Sequence, residues 1–216
     1  MKLLLVSATE KEIKPILDSL RPGLQPGKYL IGKHQLKVLI TGVGMVSTAF
    51  EMGKHLATQH YDLAINAGIA GSFKKDLAIG QVLHITDDIF ADMGAEDGED
   101  FLSIDKLGFG KSAVSPIIPA KTFKRISKLQ EAKSISVNRA HGNENTIAKT
   151  VKRLKPQLES MEGAAFFYAC NHSELPSIQI RAVSNWVERR NRETWDIPLA
   201  IKNLNDFLLA LFNDLK

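Results

Sequence analysis

Short apolar runs alternate with helix-patterned segments from one end of this chain to the other, and that alternation limits the fold more than any single residue does. Residues 2–6 read as a buried strand, 10–20 as a helix, 36–41 as a strand and 45–58 as a helix. The pattern continues with strands over 63–67 and 82–89, a helix over 121–130, a strand over 134–137 and a helix over 144–154. A helix over 162–171, a central strand over 177–183 and a long amphipathic helix over 197–215 complete it. Strands and helices in this order predict an α/β fold: a three-layer domain with a mixed central β-sheet flanked by helices. No Pro/Ser-rich linker interrupts it and no internal repeat is visible, so residues 1–216 are expected to form one domain, long enough for one sizeable core.

Charge narrows the partners. The formal net charge is only +4, too small an excess to point to nucleic acid, but it is unevenly placed. Asp87, Asp88, Asp92, Glu96, Asp97, Glu99, Asp100 and Asp105 fall within 19 positions that hold no Lys or Arg. Residues 121–155 carry ten basic residues against Glu131 and Glu144, and read as the solvated side of surface helices. The acidic stretch reads as a mobile loop. No apolar run approaches the ~18 to 20 residues of a membrane span, and charge interrupts the start before a signal-peptide core is complete. With Cys170 as the single cysteine, no internal disulfide can form, and a reducing cytoplasmic setting is expected. Neither a membrane nor a nucleic acid is expected as a partner.

In open α/β sheets ligands bind beyond the carboxyl ends of the strands. The ends here are Ser7-Ala8-Thr9, Gly42-Val43-Gly44, the run from Asn66 to Ser72, Asn138-Arg139-Ala140 and Ser184-Asn185, all small, polar or glycine-rich. Gly42-Val43-Gly44 is half of a dinucleotide fingerprint, but no acid ends the next strand as a nicotinamide site requires. Walker, His-Glu-x-x-His and Gly-x-Ser-x-Gly patterns are absent, and the six histidines show no metal-ligand spacing, so no metal or other cofactor is expected. Of the histidines only His141 stands near a strand end. Several residues carry two readings. Glu12 stands three residues after Thr9 and can close a capping box, Glu162 opens a helix where the macrodipole favours a carboxylate, and Asn185 suits a turn. Each can equally face a ligand.

Ser7-Ala8-Thr9-Glu10-Lys11-Glu12, Thr41-Gly42-Val43-Gly44, Asn66-Ala67-Gly68-Ile69-Ala70-Gly71, Ser160-Met161-Glu162-Gly163-Ala164-Ala165 and Arg181-Ala182-Val183-Ser184-Asn185 together resemble the nucleoside phosphorylase and nucleosidase superfamily over nearly the whole chain. Gly68-Ile69-Ala70-Gly71-Ser72-Phe73, Met93-Gly94-Ala95-Glu96-Asp97-Gly98, Glu159-Ser160-Met161-Glu162-Gly163 and the run from Trp195 to Leu199 are most similar to its futalosine hydrolase branch. The resemblance implies hydrolysis of the N-ribosidic bond of futalosine, releasing hypoxanthine on a menaquinone biosynthetic route. It implies that Glu12 activates the attacking water, that Glu162 holds the ribose hydroxyls with Met161 against the sugar, and that Asn185 meets the purine. Ala67, Gly68, Ile69, Asn138, Ser160, Arg181 and Ser184 would complete the substrate site. Relatives acting on adenine nucleosides carry an aspartate where Asn185 stands; an amide can instead donate to O6 and accept from a protonated N7.

Arg189 and Arg192, with Arg190 between them, offer fork-shaped donors to the substrate's benzoate, or else pair with Glu188, Glu193 and Asp196 to hold their loop. The resemblance also implies a homodimer or higher homo-oligomer. Its alternatives are a 6-oxopurine nucleoside phosphorylase or a methylthioadenosine- or aminofutalosine-type nucleosidase on the same fold and, more remotely, a non-catalytic nucleotide-binding protein.

Overall fold

A computed structural model describes residues 1–121 and 123–215. In chain order the elements are β1 (Lys2–Ser7), α1 (Glu10–Ser19), β2 (Arg21–Pro22), β3 (Lys28–Ile31), β4 (His34–Ile40), α2 (Met45–Leu56), β5 (Leu63–Ser72) and β6 (Val82–Phe90). They continue with β7 (Gly94–Asp97), β8 (Asp100–Ser103), α3 (Ile104–Leu107), β9 (Ala113–Val114), β10 (Gln130–Ser136) and α4 (Glu144–Leu154). The last are β11 (Leu158–Ser160), α5 (Gly163–His172), β12 (Ser177–Trp186) and α6 (Ile197–Asn213).

The main sheet runs β11-β10-β6-β12-β5-β1-β4-β3-β2 and is mixed, with helices on both faces, as the alternation predicts. β1 shows why. Leu3 and Leu5 face one core with Ile13 and Ile16 of α1 and Leu204 and Leu208 of α6, while Leu4 and Val6 face another with Met52 of α2 and Phe166 and Phe167 of α5. A strand covered on both faces is apolar at every position, not at alternate ones. Beyond the expectation, β11 also pairs antiparallel with β5, so β5, β12, β6, β10 and β11 close into a five-stranded ring. A cavity opens at this ring.

Four expectations are corrected. The helix over 121–130 is a single 3-10 turn, Ile126–Lys128: Phe123 and Ile126 dip into the core one turn apart and nothing extends the apolar face, while Thr122 lies outside the described residues. β5 continues through Gly68–Ser72, which had read as a strand-end loop, because these small residues remain paired to β12. β12 likewise runs to Trp186, past a register shift between Val183 and Asn185. The acidic stretch is not a free loop. Its β7–β8 hairpin docks on α4, where Lys149 pairs with Glu99 and the Arg153 guanidinium stacks on Phe101 at 4.2 Å, so part of the acidic segment meets part of the basic one. Among the described residues no helix is long and apolar enough to cross a membrane.

Pro15 breaks the hydrogen-bond ladder inside α1. Asn205 of α6 repairs it, accepting from the Ile16 N–H at 3.0 Å and donating to the Glu12 carbonyl at 2.8 Å. The first turn of α1, which carries Glu12, is thereby fixed to α6.

Candidate active site

One cavity of about 470 Å³ opens at the carboxyl ends of β1, β5 and β12 and reaches to β11. It brings together Glu12, Ile69, Ser160, Met161, Glu162, Ser184 and Asn185 of the residues expected from the sequence. Ala67 is fully buried within β5, and Gly68 and Arg181 stand behind the wall and not in the lining. Asn138 points elsewhere: its backbone N–H and side-chain amide both donate to Asp92. Arg189, Arg190 and Arg192 are all exposed, but of the three only Arg190 lines the cavity, where it stacks on Trp195 at 5.2 Å. Glu188, one of the partners expected for these arginines, pairs with Lys75 instead at 2.5 Å. Direction along an irregular loop follows no period, so the arginine that borders the cavity could not be read from spacing.

Glu12 is held from four sides. Its Oε2 accepts from Ser7 Oγ at 3.2 Å and from the N–H and Oγ1 of Thr9, each at 3.0 Å, and its Oε1 accepts from the Ile69 N–H at 3.1 Å. The reach back to Thr9 is the capping contact, and it leaves the carboxylate aimed into the cavity; the two readings of Glu12 are one geometry. Oε1 keeps a lone pair for a further donor.

Glu162 follows β11 and precedes α5, with 8% exposure. Gly44 donates to its Oε1 at 3.0 Å from a backbone at φ 98°, which a residue with a Cβ rarely adopts. Burial pushes the Glu162 carboxyl above the usual carboxylate range, and the Arg181 cation and the Gly44 N–H oppose that rise.

Arg181 is the charge at the centre of this wall. Only 1% exposed, it faces the carboxylates of Glu12, Glu162 and Asp88. A Cβ on Gly68 would lie 2.8 Å from Arg181 Nη1 and 2.9 Å from Glu12 Oε1, so the missing side chain is what leaves room for both groups over β5. Arg181 Nε and Nη2 are buried with no hydrogen-bond partner among the described residues. The charge of the nearby carboxylates, without a direct ion pair, partly offsets their desolvation.

Asp88 lies deepest, accepting from Ser136 Oγ and Gln179 Nε2, each at 2.9 Å. Burial pushes its carboxyl from 3.8 up to about 6. The folded chain therefore holds this proton more tightly than the unfolded one, and that advantage is lost as pH rises from about 4 to about 6. Two units correspond to about 3 kcal/mol. An amide at this position escapes the penalty, and Gln179, whose Oε1 is unpartnered, can turn to accept from it. Asp88→Asn is expected to gain stability relative to the parent between pH 4 and pH 8 in thermal melts; a difference independent of pH would refute the assignment.

Asn185 Oδ1 accepts from Ser184 Oγ at 2.8 Å and its Nδ2 donates to the Trp186 carbonyl at 3.0 Å, which fixes the amide plane at the cavity wall. Glu159, not singled out from the sequence as a site residue, and His141 also line the cavity. The signal for Glu159 was a lone charge in the short buried strand Leu158–Ser160. No group of three His, Cys, Asp or Glu side chains is arranged to hold a metal ion among the described residues.

The family model described as Phosphorylase superfamily matches residues 2–213. The chain is 28% identical over 226 residues to the futalosine hydrolase of Acidothermus cellulolyticus, covering 98% of this chain and 90% of that one. It is 29% identical over 220 residues to the futalosine hydrolase of Streptomyces coelicolor, covering 95% and 93%. Among solved structures, the 5'-methylthioadenosine/S-adenosylhomocysteine nucleosidase of Colwellia psychrerythraea in complex with adenine is similar in fold, with a TM-score of 0.80, 21% identity and coverage of 100% and 96%.

Proposed function

The chain belongs to the phosphorylase superfamily, and from that premise we propose that it is an N-glycosyl hydrolase that cleaves the N-ribosidic bond of futalosine, releasing hypoxanthine and dehypoxanthine futalosine as a cytoplasmic step of menaquinone biosynthesis. The observation that carries the reading is the convergence of two anchored carboxylates, Glu12 and Glu162, with the fixed amide of Asn185 in one cavity.

Cleavage breaks the bond from the ribose C1′ to the purine nitrogen and leaves positive charge on the sugar. The ionised Glu162 supports that charge and accepts from the ribose hydroxyls, with Met161 beside it. Glu12 Oε1 takes a proton from water as the oxygen adds to C1′. Bonding electrons leave with the purine, which gains one proton, so one water is consumed and the free base is released. Asn185 donates from Nδ2 to O6 and accepts at Oδ1 from the protonated N7. Arg190, the loop arginine that lines the cavity, takes the benzoate in place of Arg189 or Arg192. Water is favoured over phosphate as nucleophile, because carboxylates stand at the first strand end and the apolar Ile69 side chain offers phosphate no donor.

Futalosine incubated with and without phosphate tests the reading. Hypoxanthine release is expected in both; a strict phosphate requirement makes the enzyme a phosphorylase, and release of adenine from methylthioadenosine with futalosine untouched makes it the other nucleosidase. Asn185→Asp replaces the Nδ2 donor with an acceptor facing O6. The preference for 6-oxo over 6-amino nucleosides is expected to fall by roughly ten- to a hundredfold, by analogy with two-point base readout. An unchanged ratio of kcat/KM values removes Asn185 from base selection.

Homo-oligomeric assembly is part of the same reading. Val43, Val46 and Phe50 leave an apolar face at the start of α2, at 55, 79 and 65% exposure, and Val43 also lines the cavity. A sedimentation mass of at least twice 23.9 kDa is expected; a monomer at micromolar concentration argues against it.

A further inference from the structure

Glu159 and His141 line the cavity, yet the hydrolytic chemistry uses neither. Glu159 is 6% exposed, and what remains accessible faces the cavity it lines. Its Oε1 accepts from the His141 backbone N–H at 2.9 Å and its Oε2 is paired with His141 Nδ1. The far ring nitrogen of His141 is bonded to Thr150 Oγ1 at 2.9 Å, and the ring stands edge-on to Phe73 with centroids 5.9 Å apart. A carboxylate held by a backbone N–H on one oxygen and by an imidazole on the other is fixed in position. It has about four lone-pair sites in all, so it can take another donor from the cavity.

Strand register shows what lies opposite. Gly71 of β5 is the partner of Glu159 on β11 and also of Asn185 on β12. Side chains paired directly across a sheet rise on one face, and neighbouring strands lie about 4.8 Å apart. Glu159 and Asn185 are therefore rooted roughly 10 Å apart on either side of a residue without a side chain. A Cβ at Gly71 would come within 2.9 Å of Val187 Cγ2 and 3.2 Å of Asn185 Nδ2, so the missing side chain leaves Val187 to form the floor between the two walls. A slot of this width, with the apolar Val187 at its floor and polar groups on both walls, suits a flat heterocycle that forms a hydrogen bond at each edge.

We propose that Glu159, positioned by His141, is a specificity-determining residue that accepts the N1–H of a 6-oxopurine while Asn185 engages the N7 and O6 edge. The proposal rests on the 6-oxopurine reading given above and deepens it. A 6-aminopurine carries no hydrogen on N1 and turns a lone pair toward the carboxylate, so the second wall rejects it independently of Asn185. Discrimination by leaving a buried polar group unpaired is stronger than discrimination by shape alone.

The test measures binding of hypoxanthine, 1-methylhypoxanthine and adenine to the full chain and to Glu159→Gln by titration calorimetry. The parent is expected to bind hypoxanthine at least tenfold more tightly than either other base. In Glu159→Gln the amide can donate to N1 of adenine, so the hypoxanthine-to-adenine ratio should fall by tenfold or more. Parallel weakening of all three bases, with their ratios kept, means that Glu159 only supports the wall and overturns the proposal. Equal binding of hypoxanthine and 1-methylhypoxanthine to the parent overturns it without reference to any variant. A parent that prefers adenine instead refutes the 6-oxopurine reading itself, an outcome distinct from both.

Discussion

Glu12→Gln is expected to lower the rate of hypoxanthine release by two to four orders of magnitude, the range of a lost general base, while nucleoside binding survives. The geometry explains why the replacement is not neutral despite its shape. Three donors converge on Oε2 and a fourth, the Ile69 N–H, meets Oε1. A glutamine can keep its oxygen at the first place only by setting its NH2 against the Ile69 N–H, which costs about 1 to 3 kcal/mol for unpaired buried donors. The amide also has no basic lone pair to take a proton from water. Single-turnover product analysis gives the rate, and the fluorescence of Trp186 and Trp195, both in the cavity lining, gives the binding. Activity within tenfold of the parent excludes Glu12 as the base. Loss of binding in step with rate makes Glu12 a substrate ligand instead.

Arg181→Met should cost about 3 to 5 kcal/mol of folding stability at pH 8, the penalty of removing one partner from a buried ionic group. Methionine fills much of the same volume, so the loss is electrostatic in origin. The cation opposes the upward push of burial on both Glu162 and Asp88. Without it the carboxyls must stay ionised at greater cost or take up protons, and protons are scarcer at high pH. The deficit is therefore largest at pH 8 and smaller at pH 5, where Asp88 with its value of about 6 is already mostly protonated. Urea unfolding at the two pH values measures this. A deficit that grows as pH falls would show that Arg181 is not balanced by these carboxylates.

Some of this site was legible in the sequence because its signals are local. Thr9 and Glu12 are three residues apart, and the contact that marks a helix start also orients the Glu12 carboxylate. Glu162 stands where a strand gives way to a helix of small residues, and Ser184 beside Asn185 is an adjacent pair. Other features depend on distant pairings. Gly68 to Ser72 form strand only because β12 lies alongside them, and glycine-rich sequence by itself reads as loop. Three residues of β11 are too few to display a period, so the face on which Glu159 lies was hidden. The apolar pair Phe123 and Ile126 imitates one helical turn, and only the absence of a second turn distinguishes it from a helix.

The closed ring of β5, β12, β6, β10 and β11 fixes the spacing of Glu159 and Asn185, the two walls of the proposed base site, in main-chain hydrogen bonds. Its two walls are separated by one strand, so their spacing is independent of which side chains they carry. Exchanging a wall residue changes which pattern of donors and acceptors is admitted and leaves the distance between the two backbones alone. New base preferences on this scaffold can therefore arise through single substitutions, with no remodelling of the chain that holds them.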